Sequence, residues 1–276
     1  MSVLLESLID PDVDAAFDAI PTELTDTGFD PWGFEPKSAR VLFSIARQIA
    51  RYFRPEIHGL ENIPAGRGLV VPNHSGQLPF DGLVIAVSIL VGSSPPRVVR
   101  AMAERWVPTL PFVNVAFSRC GVVVGDPINC RNLLEEENLI LVFPEGVRGS
   151  GKIFQKRYQL ANFGRGFMRL ALQAKAPIIP TAVVGAEESI ISVANLSGLA
   201  KFLGIPYVPV PALLPVLGPL SMLPLPTKFH VYFGEPMHFD GPFDDEDEAI
   251  EAKVQQVRTR VAELIDQGRR ERTSWF

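Results

Sequence analysis

Residues 68–90 read GLVVPNHSGQLPFDGLVIAVSIL, and this stretch decides the expected fold. The run GLVVP (68–72) is short, apolar and rich in valine, which is typical of a strand buried on both faces. A polar turn with Gly76 and Pro79 follows, and the uncharged run GLVIAVSIL (82–90) then predicts a buried helix. A buried strand that leads through a turn into a buried helix is the building unit of an α/β domain.

The same alternation continues along the chain. Strands are predicted in RVVRAM (97–102), CGVVV (120–124), LILVFP (139–144), PIIPTAVVG (177–185) and FHVYFG (229–234), and helices in NCRNLLEEEN (129–138), GFMRLALQAKA (166–176) and from DDEDEAIEAKVQQVRTRVAELI (244–265). This order predicts an α/β fold with a mixed, largely parallel sheet flanked by helices. We expect two regions, residues 1–54 as an acidic lead-in with an amphipathic helix and residues 55–276 as the sheet domain.

The composition excludes several classes of protein. The 276 residues carry 26 Lys and Arg against 31 Asp and Glu, a net charge of −5, which argues against nucleic-acid binding through bulk charge. Cys120 and Cys130 form no metal-ligand cluster, which suggests a reducing compartment and buried free thiols. The N-terminus MSVLLESLIDPDVDAAFDAIP carries acids where a signal peptide carries basic residues, so secretion is not expected.

The N-terminal region combines acidic and basic parts. Residues 1–36 contain nine acids and no Lys or Arg, and the helix pattern SARVLFSIARQIARYF (38–53) follows. A 3.6-residue period separates a basic face from an apolar face. The basic face holds Arg40, Arg47, Arg51 and Arg54, and the apolar face holds Leu42, Ile45, Ile49 and Phe53. Such a helix either packs on the domain surface or lies in an anionic membrane interface.

Two long uncharged segments bear on membrane contact. Residues 82–96 are 15 residues long, fewer than the roughly 20 that a membrane-spanning helix needs, so we expect a buried helix. Residues 202–227, here called the proline-rich segment, are 26 residues long and contain seven prolines. Interior prolines remove helix hydrogen bonds, which argues against a spanning helix there.

The stretch NHSGQLPFD (73–81) places His74 and Asp81 after a predicted buried strand. Open α/β sheets bind ligands at the carboxyl ends of their strands. A carboxylate that holds one imidazole nitrogen leaves the other nitrogen to remove a proton from a hydroxyl group. The alternative is that Asp81 caps the following helix and His74 lies in a polar turn.

A second candidate site lies in LILVFPEGVRGSGK (139–152). The part GVRGSGKI fits the phosphate-loop pattern except that Ile153 replaces the Ser or Thr that binds magnesium, so nucleotide chemistry is disfavoured. The basic run that follows holds an anionic group or is solvated surface charge. It contains Lys156, Arg157, Arg165 and Arg169.

The order of these motifs resembles the glycerolipid acyltransferases, the family of lysophosphatidic acid and glycerol-phosphate acyltransferases. The resemblance runs from about His58 to the end of the predicted sheet. It rests on Asn73, His74 and Asp81, on FPEG (143–146) with Arg148, on FGRG with Arg165, and on PIIP (177–180).

Two departures from the family pattern are visible. The family has four residues between its histidine and aspartate, whereas six, SGQLPF, separate His74 from Asp81. In the second family motif an arginine is thought to hold the acceptor phosphate, but Pro127 stands near that place and Arg131 follows four residues later. The acceptor is therefore either 1-acylglycerol-3-phosphate or a non-phosphorylated lipid.

The resemblance implies an O-acyltransferase of phospholipid biosynthesis or remodelling. His74, oriented by Asp81, would be the general base, and Glu145, Gly146, Arg148 and Arg165 would form the substrate site. The acyl donor would be acyl-CoA or acyl carrier protein, with no metal or other cofactor. Because the acceptor is a lipid, we expect peripheral or monotopic attachment to the cytoplasmic face of a membrane through the proline-rich segment.

Two other functions stay open at this point. The long His–Asp spacing also fits a non-catalytic lipid-binding protein on the same fold. A hydrolase in which His74 activates water or Ser75 is disfavoured, because no GxSxG elbow occurs.

Overall fold

The computed structural model describes residues 8–276. The helices are α1 (Pro11–Asp18), α2 (Pro36–Tyr52), α3 (Phe80–Gly92), α4 (Val113–Arg119), α5 (Pro127–Glu135), α6 (Val147–Ser150), α7 (Gly166–Ala174), α8 (Ser197–Leu203), α9 (Leu214–Leu217) and α10 (Asp247–Glu271). The strands are β1 (Glu56–His58), β2 (Gly68–Pro72), β3 (Val99–Ala103), β4 (Val123–Val124), β5 (Leu139–Leu141), β6 (Ile178–Val184), β7 (Ser192–Asn195), β8 (Pro209–Pro211) and β9 (His230–Phe233).

Seven strands form one sheet in the order β1-β9-β6-β2-β5-β3-β4. The five strands from β6 to β4 are parallel, while β9 is antiparallel to β6 and β1 is parallel to β9. Strands β7 and β8 form a separate antiparallel pair. The predicted α/β fold with a mixed, largely parallel sheet is confirmed.

Helices cover both faces of the sheet because successive strand residues point to opposite sides. In β2, Leu69 and Val71 pack with α5, α7 and α10, whereas Val70 packs with α1, α2 and α3. All five residues of β2 are buried, as the apolar run predicted. This strand is therefore the centre of the core, and its carboxyl end holds the motif that begins at Asn73.

The N-terminal helices α1 and α2 join this core rather than lying apart from it. Val13 and Phe17 of α1 and Phe43 of α2 are buried in the same cluster as Val70 of β2. The division at residue 54 stays a prediction, but the two sides share one hydrophobic core. Residues 1–7 of the acidic lead-in lie outside the described residues.

The basic face of α2 is occupied by acids of the lead-in. Arg40 pairs with Asp14 and with Asp18 at 2.6 Å, and Arg47 pairs with Asp10 at 2.8 Å. Arg51 also reaches Asp10, at 3.0 Å. Three of the four arginines of this face are therefore paired with acids of the lead-in, and contact of the helix with an anionic membrane stays a prediction. The sequence pattern could not reveal this pairing, since it depends on how α1 folds back.

The uncharged segments form the structures that their composition predicted. Residues 80–92 make the buried helix α3, while the proline-rich segment contains the end of α8, the short strand β8 and the short helix α9. Among the described residues, the structure has no helix whose length and apolar character would let it cross a bilayer.

Candidate functional site

Three neighbouring parallel strands bring the candidate residues together at the edge of the sheet formed by the carboxyl ends of its strands. Strand β2 lies between β5 and β6, so the carboxyl ends of all three meet. His74 follows β2, Glu145 follows β5 and Glu187 follows β6. This edge is where an open α/β sheet places its ligand crevice.

His74 and Asp81 are in direct contact across the six intervening residues. His74 Nδ1 lies 2.8 Å from Asp81 Oδ2. The turn passes through Gly76 at φ +82°, and α3 begins at Phe80, so Asp81 lies in its first helical turn. The glycine accommodates the left-handed backbone that brings the longer turn back. The six residues between His74 and Asp81 therefore still allow a hydrogen bond of normal length between the two side chains.

The Asp81 carboxylate is buried and further held by the main chain. It is 0% exposed and accepts from the N–H groups of Ser75 and Gly82 at 2.8 and 2.7 Å. An ionised carboxylate only accepts hydrogen bonds, so Nδ1 of His74 is the donor in this pair. In the neutral imidazole the other ring nitrogen, Nε2, then carries no proton and can accept one.

The His74 ring is fixed from a second side and stays partly open to solvent. Phe143 stacks on it with ring centroids 4.0 Å apart. The neighbouring Asn73 side chain exchanges hydrogen bonds with the main chain of Val183 in β6, which ties the motif to the sheet. The His74 side chain remains 16% exposed. It is therefore both oriented and reachable.

Glu145 lies inside the protein, where its carboxylate binds the main chain of His74 rather than facing solvent. Its side chain is buried, and Oε1 accepts from the His74 N–H at 2.8 Å. Oε2 accepts from the Ala161 N–H at 2.6 Å and lies 3.4 Å from Lys152 Nζ. The sequence placed Glu145 in the substrate site, and the structure places its carboxylate in an internal network that positions the His74 main chain.

Lys152 is a member of this network that the sequence reasoning missed. Its buried ammonium lies 3.0 Å from Glu187 Oε1 as well as near Glu145. Burial raises the pKa of Glu187, and the nearby Lys152 opposes that shift. Lys152 is the lysine of the phosphate-loop pattern GVRGSGKI. Because it already pairs with two carboxylates, its positive charge is not available to a nucleotide phosphate. The sequence around Lys152 contains no local pattern that indicates a buried side chain.

Two glycines allow the loop after β5 to approach His74. Gly146 has φ +56° and ψ −152°, a region that side-chain-bearing residues avoid. A Cβ on Gly149 would lie 2.7 Å from the Cβ atoms of both His74 and Glu145. Gly149 therefore marks the point of closest approach between the two motifs. The sequence analysis named Gly146 and did not identify Gly149.

The two predicted arginines differ in their surroundings. Arg148 is exposed next to Gly149, and its guanidinium donates to the Asn162 carbonyl at 3.3 Å. Arg165 is also exposed, but its guanidinium pairs with Asp247 of α10 at 2.9 Å. Arg148 thus adjoins, in the chain, the glycine that approaches His74, whereas Arg165 is tied to the C-terminal helix.

The region of the second family motif carries an acid where a phosphate would be held. Asp126 caps α5 by accepting from the Ile128 N–H at 2.9 Å, and Pro127 is the first helical residue. Arg131 lies within the helix and pairs loosely with Glu135 at 3.7 Å. A carboxylate at a helix N-terminus takes the place that an anionic ligand would otherwise occupy.

Ser75 does not form a nucleophile–base pair with His74. Its side chain is fully buried, and its Oγ has no hydrogen-bond partner within residues 8–276. A nucleophilic serine needs its base within hydrogen-bond reach. The hydrolase alternative therefore has no support from this geometry.

An open cleft of about 600 Å³ lies beside β3 and β4, near the same edge of the sheet. Its lining is mainly apolar and includes Trp32, Ala103, Val107, Val115, Phe117 and Val122.

An exposed apolar surface adjoins the loops of the site. Tyr207 of the proline-rich segment donates to the Gln77 carbonyl at 3.0 Å, and Asn195 donates to the Gly151 carbonyl at 2.6 Å. We call the exposed apolar side chains of this region the apolar patch. It consists of Val193, Leu196, Leu199, Phe202, Leu203, Leu213, Leu214, Val216, Leu217, Leu220 and Leu223.

Comparisons with known proteins identify the domain. Residues 54–184 match the family model described as Acyltransferase. An uncharacterized protein of Mycobacterium tuberculosis is 40% identical over 216 residues, covering 77% of this chain and 60% of that protein. The chain thus spans about 60% of the length of its mycobacterial relatives. A DGAT1/2-independent enzyme synthesizing storage lipids from Gallus gallus is 29% identical over 190 residues, 67% of this chain and 52% of that enzyme.

A solved structure shares the fold. The 1-acyl-sn-glycerophosphate (LPA) acyltransferase PlsC from Thermotoga maritima superposes with a TM-score of 0.55 and 18% identity, covering 86% of this chain and 83% of that chain. The family model agrees with the acyltransferase resemblance that the motifs suggested, the PlsC structure shares the fold, and residues 54–184 form an acyltransferase domain.

Proposed function

We propose that the protein transfers a fatty acyl group from a thioester, acyl-CoA or acyl carrier protein, to a hydroxyl of a glycerolipid. The observation that carries this proposal is the 2.8 Å contact between His74 Nδ1 and buried Asp81 at the carboxyl edge of the sheet. It gives a general base with one fixed tautomer and one reachable nitrogen.

The proposed reaction is a direct transfer without an acyl-enzyme. Nε2 of His74 takes the proton of the acceptor hydroxyl as that oxygen bonds to the thioester carbonyl carbon. The carbon–sulfur bond then breaks, and the thiolate leaves with the proton from the imidazolium. General-base help of this kind contributes roughly 10² to 10⁴-fold in rate.

The acceptor site is assigned by position and charge. Arg148 lies next to Gly149, at the closest approach of the loop to His74, and its guanidinium is exposed. A guanidinium fork matches phosphate oxygens. The first candidate acceptor is therefore 1-acylglycerol-3-phosphate, with Arg148 on its phosphate and an acyl chain in the apolar cleft beside β3 and β4.

A non-phosphorylated acceptor is the second candidate, and a separate observation favours it. Asp126 and Pro127 occupy the N-terminus of α5 where the family pattern expects a phosphate-binding arginine nearby. The Gallus gallus relative, whose name describes an enzyme that synthesizes storage lipids, is similar over 67% of this chain.

We also propose that the apolar patch attaches the protein peripherally to the cytoplasmic face of a membrane. The patch is joined to the loops of the site through Tyr207 and Asn195. Single exposed apolar residues are ordinary, but eleven of them between Val193 and Leu223, beside a proposed lipid site, favour membrane contact.

An acceptor screen tests the function. Purified protein is given palmitoyl-CoA with 1-acylglycerol-3-phosphate, monoacylglycerol, diacylglycerol or no acceptor, and free thiol release is followed together with the acylated lipid. We expect thiol release that requires an acceptor and matches the ester formed. Thiol release without an acceptor would indicate a hydrolase, and acceptor binding without thiol release would indicate a non-catalytic lipid-binding protein. Either result would overturn the proposal.

A further inference from the structure

The outer strand β1 and its neighbour β9 carry three side chains of types that commonly bind metal ions. Glu56 and His58 belong to β1, and His230 belongs to β9. The two strands are parallel, with Glu56 opposite His230 and His58 opposite Tyr232. Residues two apart on a strand share a face. One ligand atom from each of the three side chains lies within 4.8 Å of the others.

The His230 ring supplies an independent sign that a ligand belongs here. His230 is only 5% exposed, and its Nδ1 has no hydrogen-bond partner among the described residues. Glu56 Oε2 lies 3.2 Å from that nitrogen but does not complete a hydrogen bond with it. Buried polar nitrogens are rarely left without a partner. An ion bound between these two atoms would satisfy both.

The ion pair with Lys228 fixes the position of the Glu56 carboxylate. Lys228 contacts Oε1 of Glu56, so Oε2 remains on the side of His230.

The neighbouring side chains orient the third ligand. The His58 ring stacks on Tyr232 with centroids 4.5 Å apart, and the Tyr232 hydroxyl donates to Glu271 at 2.6 Å. Stacking limits the positions of the imidazole, as the second shell of a metal site does.

We propose that Glu56, His58 and His230 bind a divalent transition metal, with Zn²⁺ the best match. Two imidazoles and one carboxylate suit zinc, whereas magnesium and calcium prefer oxygen ligands throughout. The ion would clamp the three-residue edge strand β1 onto β9. Strand β6 and strand β9 itself separate β1 from β2, so the ion stabilises the fold and takes no part in acyl transfer.

Cobalt and zinc binding to the full chain test this site. Co²⁺ titration is followed by visible d–d absorption, and Zn²⁺ is followed by the thermal midpoint. The wild type is compared with His58→Ala and Glu56→Gln, both on exposed positions, and with His238→Ala as a histidine control outside the cluster. Circular dichroism checks that each variant is folded.

We expect one Co²⁺ per chain in the wild type and in His238→Ala, and at least about tenfold weaker binding in His58→Ala and Glu56→Gln. Saturating Zn²⁺ should raise the midpoint of the wild type by about 5 °C and leave that of His58→Ala unchanged. Equal Co²⁺ binding by folded His58→Ala, or no binding by the wild type, would overturn the proposal.

Discussion

The main-chain N–H of His74 donates to the buried carboxylate of Glu145 at 2.8 Å, a contact that joins residues 71 positions apart in the sequence. The motif of His74 and Asp81 is thus connected to the motif FPEG (143–146) through an internal carboxylate. Both oxygens of Glu145 are engaged, the second by Ala161 and Lys152. Glu145 is therefore a positioning residue.

Glu145→Gln is expected to destabilise the fold and slow the reaction. The amide has one accepting oxygen, so one buried N–H group would face another donor, at a cost of about 1–3 kcal/mol. Urea denaturation measures this loss. Glu263→Gln, which removes only an exposed pair with Arg260, should change the free energy of unfolding by less than about 1 kcal/mol. Equal stability of the two variants would contradict the role given to Glu145.

Gly149→Ala is expected to lower kcat for acyl transfer by at least about tenfold, because its Cβ would meet the Cβ atoms of His74 and Glu145 at 2.7 Å. The loop or His74 must shift to relieve this overlap. Gly198→Ala is the matched control, since a Cβ there would have no atom within 4 Å. Steady-state kinetics distinguish the two, and an unchanged kcat in Gly149→Ala would contradict the close approach.

The two thiols are expected to be unreactive in the folded protein. Burial raises the pKa of Cys120 to about 12 and that of Cys130 to about 11, from an ordinary value of 9.0. Since the thiolate is the reactive form, labelling by a thiol reagent at pH 8 should be at least about 100-fold slower than in denaturant. Rapid labelling of the native protein would contradict the raised pKa values of these thiols.

The same shifts give a direction for stability against pH. Because the folded pKa values are raised, the stabilisation from the protonated thiols is fully present below about pH 9. It is lost as the pH rises from there through the folded values. Equilibrium unfolding at pH 8, 9 and 10 should therefore show a larger decrease in the free energy of unfolding for the wild type than for the double variant Cys120→Ser/Cys130→Ser.

The apolar patch is expected to carry vesicle binding. Phe202 is 84% exposed and Val216 is 81% exposed, and each would bury its side chain in a bilayer. A glutamate at either position should weaken partitioning into phosphatidylcholine vesicles by at least about tenfold. Ile128→Glu, at an exposed apolar position outside the patch, should bind like the wild type. Co-sedimentation measures the difference, and equal binding by all three variants would contradict membrane contact through this surface.

The parts of the structure that the sequence predicted are those with a local cause. Buried strands appear as apolar runs, so β2, β5, β6 and β9 were recognised, and the motif around His74 lies within nine residues. The His74–Asp81 pair could be named from its spacing, but only the turn at Gly76 decides whether the two side chains meet.

The parts that the sequence did not reveal depend on residues far apart in the chain. Lys152 stands in the phosphate-loop pattern, and its buried ion pair is with Glu187, 35 positions later. The pairing of the α2 arginines with acids depends on how α1 packs against α2. His58 and His230 come together only through the pairing of β1 with β9, which no local pattern reveals.

The rate of acyl transfer in His74→Ala, with Asp81→Asn beside it, tests the central claim most directly. Ester formation from palmitoyl-CoA and the best acceptor should fall by about 10² to 10⁴-fold in both variants, while the acceptor still binds. Circular dichroism should show both variants folded. A folded His74→Ala protein that forms ester at the wild-type rate would contradict His74 as the general base.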